Sequence, residues 1–526
     1  VGRAIIGTSS FGFGGANAHV IMQQYEGVDI LNNPIDASRA NLSKSSFCIP
    51  ISAFHAESVR ATAARYAKAI AASSGSWSVA DVALTASKYR VHDKRRIHRA
   101  VLVADNCENL VQRLESLATG SLGEEGLIMG ETLKSPRVAF VFSGQGAQYP
   151  GMCRDLYESN TLFRESMQEC DLLLRDCMKL SLLDTLYGED CGALHDAAFA
   201  QPALFAVEYA LSRVMQDQLG VQPAVVVGHS LGEIAAMCAA GMLTLAEACC
   251  LVAARGAAMA AVAGGSGAMA AVRASKTDAL AALSGTDTCD LVGVAVVNGP
   301  ESVVISGSVA GVNAAVKLFE AKGIKVKLLD VTHGFHSACI EPALSALRAA
   351  AAKIFGGKEG VVGVAAATRP PASGVVTQFV STVTGAQLLD KLRHRDPEYW
   401  VQQARQSVQF LGAMDTAMAK LGCNVIVEIG PHPTLCPQIA SIAESLGVKT
   451  RVIPTLRRDK VDSRMMCRAA AALHVSGVEL DWSALALGRG VRVRLPATSM
   501  TGKRHWPDAS KLPDELVAGL QRNFLS

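Results

Sequence analysis

Residues 224–237 read AVVVGHSLGEIAAM, and the part that could do chemistry is Gly228-His229-Ser230-Leu231-Gly232. A serine hydroxyl is a weak nucleophile at neutral pH and needs a base within hydrogen-bond reach. It also needs exposure. A β-branched run, Val225-Val226-Val227, precedes the serine, and a small-residue, helix-compatible stretch follows it. A G-x-S-x-G between a strand and a helix is the setting of a nucleophile elbow, in which the backbone turns sharply and lifts the hydroxyl above the sheet. The helix opening at Leu231 would aim free N–H groups and its positive end at the site, favouring a developing oxyanion. In a loop the same five residues would be a chance match.

Arg255 is the second position with chemical meaning. In VAARGAAM it is the only charge among apolar and small residues. An arginine isolated on an apolar helix should find a carboxylate, and its planar fork binds one bidentately. That carboxylate could belong to a substrate or to a neighbour such as Glu247. Two enzyme classes use a serine elbow. An α/β-hydrolase needs an acid between Ser230 and a C-terminal histidine. A transferase needs a base, a place for the acyl group and a second acceptor site.

The elements that would position these residues are legible as a series. The strand Val138–Phe142 runs into Ser143-Gly144-Gln145-Gly146, helical stretches follow, and the strand–elbow–helix comes next, then a helix through Arg255. A glycine cluster at 264–267 marks a boundary. After it, AMAAVRA, KTDALAAL, LVGVAVVNGP, SVVISGS, VNAAVKLFEAKG and KVKLLDV alternate as β-α-β-β-α-β, the ferredoxin-like order, as an inserted subdomain. The chain resumes at VTHGFHSACIEPALSALRAAAAKI, and NVIVEIG is a further strand ending in Gly430-Pro431-His432-Pro433. Upstream, residues 1–25 hold two strand-like runs around a glycine-rich turn, too little to bury a core, and residues 26–50 are polar. ISAFHAESVRATAARYAKAIAA reads as strand then helix, SVADVALTASKYR as a helix and RRIHRAVLVAD as a strand, a small α/β unit ending near 133. Residues 450–510 are basic with short strands and Pro496; residues 511–526 are a short amphipathic helix at best.

The totals bound the rest. The chain has 526 residues, 50% hydrophobic and 18% charged, with net charge +3. That is a globular composition with several structural units. No block of like charge argues for nucleic acid or a polybasic membrane anchor. Fourteen cysteines are scattered without CxxC or zinc spacing, which reads as reduced thiols in a cytoplasmic protein. The apolar runs break before the ~20 residues a membrane span needs. The chain opens on Val, without a signal peptide, so it reads as a fragment of something longer.

FVFSGQGAQYPGM, AFAQPALFAVEYAL, GHSLGE, LVAARG, VNGPESVVISG, HGFHS and VEIGPHP occur in order from about residue 136 to 440. Together they closely resemble the acyltransferase domains of modular polyketide and animal-type fatty acid synthases, and are similar to free-standing malonyl-CoA:acyl carrier protein transacylases. SSFGFGGANAHVI looks like the end of a ketosynthase, and RVRLPATSMTGKRHW resembles a post-acyltransferase linker. The resemblance implies an α/β fold: an α/β-hydrolase-like large subdomain (134–263 and 333–445) carrying the ferredoxin-like small subdomain (264–332). Around these it places a ketosynthase remnant (1–25), an α/β ketosynthase–acyltransferase linker (26–133), a post-acyltransferase linker (446–510) and a tail (511–526).

It also implies roles. Ser230 would be the nucleophile and His336 its base, although His336 alone reads equally as a structural histidine at a strand end. No acid completes a triad; a backbone carbonyl orients the imidazole, which the pattern YWVQQARQSVQF places near Gln403. Backbone N–H groups of Gln145 and Leu231 would form the oxyanion hole, and Arg255 would hold the free carboxylate of a malonyl-type substrate. Gln201 and Asn298 would be pocket residues, or buried amides; His229 and Glu233 would support the elbow. His333-Gly334-Phe335-His336 resembles the HAFH form linked to malonyl selection, with Gly334 in place of alanine. Phe335 would crowd an α-methyl, a discrimination of roughly 1–3 kcal/mol. The implied reaction takes malonyl from malonyl-CoA to the phosphopantetheine of an acyl carrier protein, beside a ketosynthase and other domains of a parent synthase. No metal or bound cofactor is implied. A thioester-cleaving serine hydrolase and a non-catalytic docking module are the competing readings.

Overall fold

The computed structural model describes residues 4–12, 15–23, 46–90, 92–121, 125–188, 192–265, 267–284, 292–356, 376–390, 392–482 and 490–500. The helix expected at 511–526 lies outside them.

The main sheet has six strands, in the order Ala386–Gln387, Gln378–Ser381, Val225–Gly228, Val138–Phe142, Val425–Ile429 and Arg451–Pro454. Neighbours run parallel except the antiparallel edge strand Ala386–Gln387. The three central strands are buried at every position, as a sheet covered on both faces requires. One face, through Phe140 and Phe142, packs under the helices Thr161–Met178, Ala197–Arg213 and Leu245–Ala260. The other, through Ala139, Val141, Val225 and Val227, meets Phe410 and the Val296 and Val304 side chains of the inserted unit. Phe142 pairs with Gly228 and with Ile429, so these three strands end level with one another. Their carboxyl ends put Ser143, Ser230 and Gly430 side by side, where open α/β sheets bind ligands.

The insert follows the expected order. Its strands lie as Val326–Leu328, Gly267–Val272, Ser302–Ser308 and Val292–Gly299, all antiparallel, with helices Lys276–Leu283 and Val309–Ala321. The smaller upstream unit has the antiparallel strands Phe47–Ala53, His98–Ala104 and Leu127–Glu131. Helices Ala56–Ala72, Val79–Lys88 and Cys107–Thr119 cover one face.

Its other face packs on a long helix, Asp462–Ser476, where the sequence suggests only short strands. Segment 490–500 then crosses back to the upstream unit. Val493 and Leu495 enter its core, and the N–H groups of Val491 and Val493 bond Asp81 and Thr85. Near the start of the chain, Ile5–Phe11 and Asn17–Gln23 form an antiparallel hairpin exposed along its whole length, consistent with two strands that bury no core. Among the described residues no helix is long and apolar enough to cross a membrane.

The junction between the upstream unit and Asp462–Ser476 carries the buried His474 beside the half-buried His92. The His474 ring lies edge-on to His92 and Trp482, and Arg99 donates to the His474 carbonyl at 2.9 Å. Burial pushes His92 down to about 4 and, with the charge of Arg99, holds His474 well below its ordinary value. Above pH ~6.5 both are neutral whether the chain is folded or not; below it the unfolded chain takes up protons that the folded one refuses. The stability these two histidines contribute should therefore fall with acid, by about 2 kcal/mol at pH 5 from His92 alone, while buried carboxyls such as Asp462, raised to about 6, shift the total the other way. Urea unfolding of the parent and of His474→Phe at pH 7 and pH 5 isolates the histidine share, the variant faring better than the parent on acidification.

Candidate active site

Ser230 sits in the left-handed region at φ 52°. Few non-glycine residues adopt it without outside support, and here the support is dense. The Ser230 carbonyl accepts from Glu233 N–H at 3.0 Å and from Gln403 Nε2 at 2.6 Å. His229 N–H donates to Phe142 O at 2.9 Å, and Thr382 Oγ1 to Gly228 O at 3.0 Å. The flanking glycines leave space that no side chain could share. A Cβ on Gly228 would land on Glu233 N, and one on Gly232 would lie 2.5 Å from the Phe142 carbonyl. Glu233 is buried and accepts from Thr382 N, Thr382 Oγ1 and Tyr399 OH; burial raises it to about 7.

The hydroxyl has two partners. Ser230 Oγ lies 2.7 Å from His336 Nε2 and 3.2 Å from Arg255 Nη2. His336 also has a positive φ, 57°. Its Nδ1 is 2.9 Å from a backbone carbonyl, so Nδ1 carries the proton and Nε2 is free to accept one. That carbonyl belongs to Gln406, not to Gln403. The helix Pro397–Arg405 ends one residue earlier, and Gln406 turns to an extended ψ of 162°, which aims its carbonyl away from the helix. Gln403 instead supports the elbow from behind. A hydrolase triad would place a carboxylate where Gln406 O stands.

Arg255 is 3% exposed, and no carboxylate pairs with it among the described residues. Glu247 caps its own helix through Thr244 and bonds Arg395 at 3.1 Å. Arg255 Nη1 donates to Gln201 Oε1 at 2.7 Å, and its buried Nε has no partner. Burial lowers this guanidinium to about 10, still charged at neutral pH.

These groups open on a cavity of about 300 Å³ between the two subdomains. Gln145, Ser230, Leu231, Arg255, Asn298, Phe335 and His336 line it. The N–H groups of Gln145 and Leu231 make no hydrogen bond among the described residues. Asn298 Oδ1 also lies 2.9 Å from His229 Nε2. Three expected pocket residues stand behind the wall. Gln201 reaches the cavity through Arg255 and through Gln145, whose Oε1 accepts from Gln201 Nε2 at 3.4 Å. His333 bonds the Val262 carbonyl at 3.0 Å and Thr332 Oγ1 at 2.8 Å. Gly334 packs against the inserted unit, where a Cβ would meet Gly307 O at 2.9 Å. Apolar lining from the insert (Met269, Val296 and Val304) and the hinge residues Asp330 and Val331 carry no sequence signal, because only the insert's docking makes them neighbours of the serine. Among the described residues no group of three His, Cys, Asp or Glu is placed to hold a metal ion.

The arrangement can form and break an ester on Ser230: a serine in contact with a neutral imidazole, two unengaged N–H groups and an unmatched cation. Comparison with known proteins gives the family. The Acyl transferase domain family matches residues 139–480, and the Ketoacyl-synthetase C-terminal extension matches residues 1–100. Polyketide synthase GfsB of Streptomyces halstedii is 36% identical over 95% of this chain, which spans 8% of that protein. The chain spans 8%, 23% and 27% of the length of three such curated relatives. The acyltransferase domain from module 8 of the salinomycin polyketide synthase is 30% identical with a TM-score of 0.72, over 84% of this chain and 98% of that one. Malonyl CoA-acyl carrier protein transacylase from Clostridium perfringens is 25% identical with a TM-score of 0.52, over 61% and 93%.

The close backbone packing at the elbow gives a test. Gly228→Ala should cost more than about 3 kcal/mol or prevent folding. Gly264→Ala, with open space around it, should stay within about 0.5 kcal/mol of the parent. Soluble yield and urea unfolding of the two variants provide the comparison.

Proposed function

This chain belongs to the acyl transferase domain family, and on that premise we propose that it moves a malonyl-type group from coenzyme A through Ser230 to the phosphopantetheine thiol of an acyl carrier protein. The observation that carries the choice of acyl group is Arg255, a buried guanidinium without a counter-charge 3.2 Å from the serine oxygen. A buried cation is costly unless matched, so this site suits an acyl chain that ends in a carboxylate.

In the proposed reaction Ser230 Oγ attacks the thioester carbonyl while its proton passes to His336 Nε2. The oxyanion develops against the N–H groups of Gln145 and Leu231. The carbon–sulfur bond then breaks, and the imidazolium returns its proton to the departing thiolate. A carrier thiol reverses these steps and takes the acyl group. The Gln406 carbonyl keeps Nδ1 protonated throughout, so the ring accepts and donates at one nitrogen only. Phe335, on the cavity wall, is the proposed bar to an α-methyl. The curated relatives are far longer polyketide synthases, and residues 1–100 match a ketosynthase extension. A ketosynthase and a carrier protein of such a synthase are accordingly the proposed partners.

Incubation with malonyl-CoA should add one malonyl group, visible by intact mass, and Ser230→Ala should abolish it; an adduct that persists on another residue contradicts the scheme. Arg255→Ala should lower malonyl loading by about 10- to 100-fold, the loss of a charge-assisted bidentate pair. Acetyl loading should not fall in parallel. Phe335→Ser should raise the share of methylmalonyl accepted when both thioesters compete.

A further inference from the structure

The site sets two positive charges against each other. To act as base, His336 must become an imidazolium, yet a guanidinium already touches the hydroxyl that would supply the proton. Arg255 Nη2 is 3.2 Å from Ser230 Oγ, which is 2.7 Å from His336 Nε2. Coulomb repulsion across so short a span is strong where water is excluded. Glu233 is the acid whose charge reaches Arg255, but it lies behind the elbow, engaged by Thr382 and Tyr399. The other titratable groups on the cavity are His229, His195 and Asp330. His229 is held neutral by burial. For His336 itself, burial, then Arg255, then His229 all disfavour the protonated ring, outweighing the Gln406 carbonyl.

The donors of Arg255 show where relief would enter. Nη1 is taken by Gln201, Nη2 rests on the serine oxygen, and Nε is buried without a partner. Each Nη nitrogen carries a second hydrogen, so three of the five donors make no bond among the described residues, and a planar fork binds a carboxylate with two parallel bonds. A carboxylate there would cancel the charge facing the imidazole.

We propose that the substrate's free carboxylate, by docking on Arg255, also releases His336 to act as base, so that acyl groups without a carboxylate are refused in the chemical step as well as in binding. This rests on the acyl-transfer reading above. In the empty enzyme the guanidinium restrains proton transfer from Ser230. With malonyl bound, its charge is matched; the Oγ–H bond breaks as the Oγ–carbon bond forms, and the proton moves to Nε2. The carboxylate remains bound in the acyl-enzyme, so the base stays available for transfer to the carrier thiol. It is lost only when the acyl group departs, which restores restraint against stray acylation.

The test is the pH dependence of single-turnover acylation of Ser230, followed by intact mass. Two donors are used: malonyl-CoA, and p-nitrophenyl acetate, a neutral ester activated enough to react. With malonyl-CoA the acid limb should lie at least about one pH unit above that for p-nitrophenyl acetate, the displacement expected when a neighbouring cation is neutralised. Arg255→Gln should move the p-nitrophenyl acetate limb upward by a similar amount, a change that loss of a merely structural arginine would not give. Coincident limbs in the parent protein would overturn the proposal, as would an Arg255→Gln limb that stays in place. Failure of malonyl-CoA to label Ser230 at any pH would instead sink the acyl-transfer reading, while the neutral ester would still report whether Arg255 restrains the base.

Discussion

Ser230 can stand above the sheet only because the backbone turns back on itself within the space of two missing side chains. Gly228 and Gly232 let the strand, the elbow and the following helix approach to distances that a Cβ would forbid. The rest of the site is arranged around that close approach. Gly144 closes on the His229 carbonyl, so the Gln145 turn is seated on the elbow itself. Gln403 holds the strained carbonyl, and Glu233, buried under the helix, ties it to the Thr382 strand end. Distant segments therefore converge on one peptide, and geometry at the serine is set by packing rather than by local preference.

On this rigid base the charges are left unbalanced. Most buried ionisable groups in the molecule have an internal partner or are neutral. Glu428 accepts the N–H groups of Thr434, Leu435 and Cys436, and burial pushes Glu208 well above the usual carboxylate range while it accepts from Ser143. Arg255 differs. It keeps its charge in a cavity wall, with an amide and a hydroxyl for company. A protein that leaves one cation unmatched beside its nucleophile has moved part of its electrostatic complement onto the ligand.

Much of this was legible in the sequence because backbone needs and residue types coincide. The β-branched run, the two glycines and the small-residue helix specify the elbow. Turn residues at regular spacing separate the six elements of the insert. A lone arginine among alanines announces a buried charge. What the sequence concealed depends on tertiary placement. The acceptor for His336 is a main-chain carbonyl, so no side chain marks it; its identity follows from where one helix stops, at Arg405 rather than three residues sooner. Asp462–Ser476 escaped because it is sandwiched between two units. Buried on most of its faces, it shows alanines and methionines in place of an amphipathic stripe. Gln201 and His333 carry the right residue types but act through neighbours, a distinction only the packing can make.

Segment 490–500, packed on the upstream unit, bears on modularity. Val493 and Leu495 complete a core begun by Ile49 and Leu102, and Ser499 N–H bonds Thr62 across the same seam. Residues 490–500 thus belong to the upstream unit's packing, although the six-stranded sheet and its insert lie between the two in the chain. A piece that keeps this packing whole runs from residue 46 to residue 500. One trimmed to the six-stranded sheet and its insert would strip the helix Asp462–Ser476 of its cover and leave the upstream core without Val493 and Leu495.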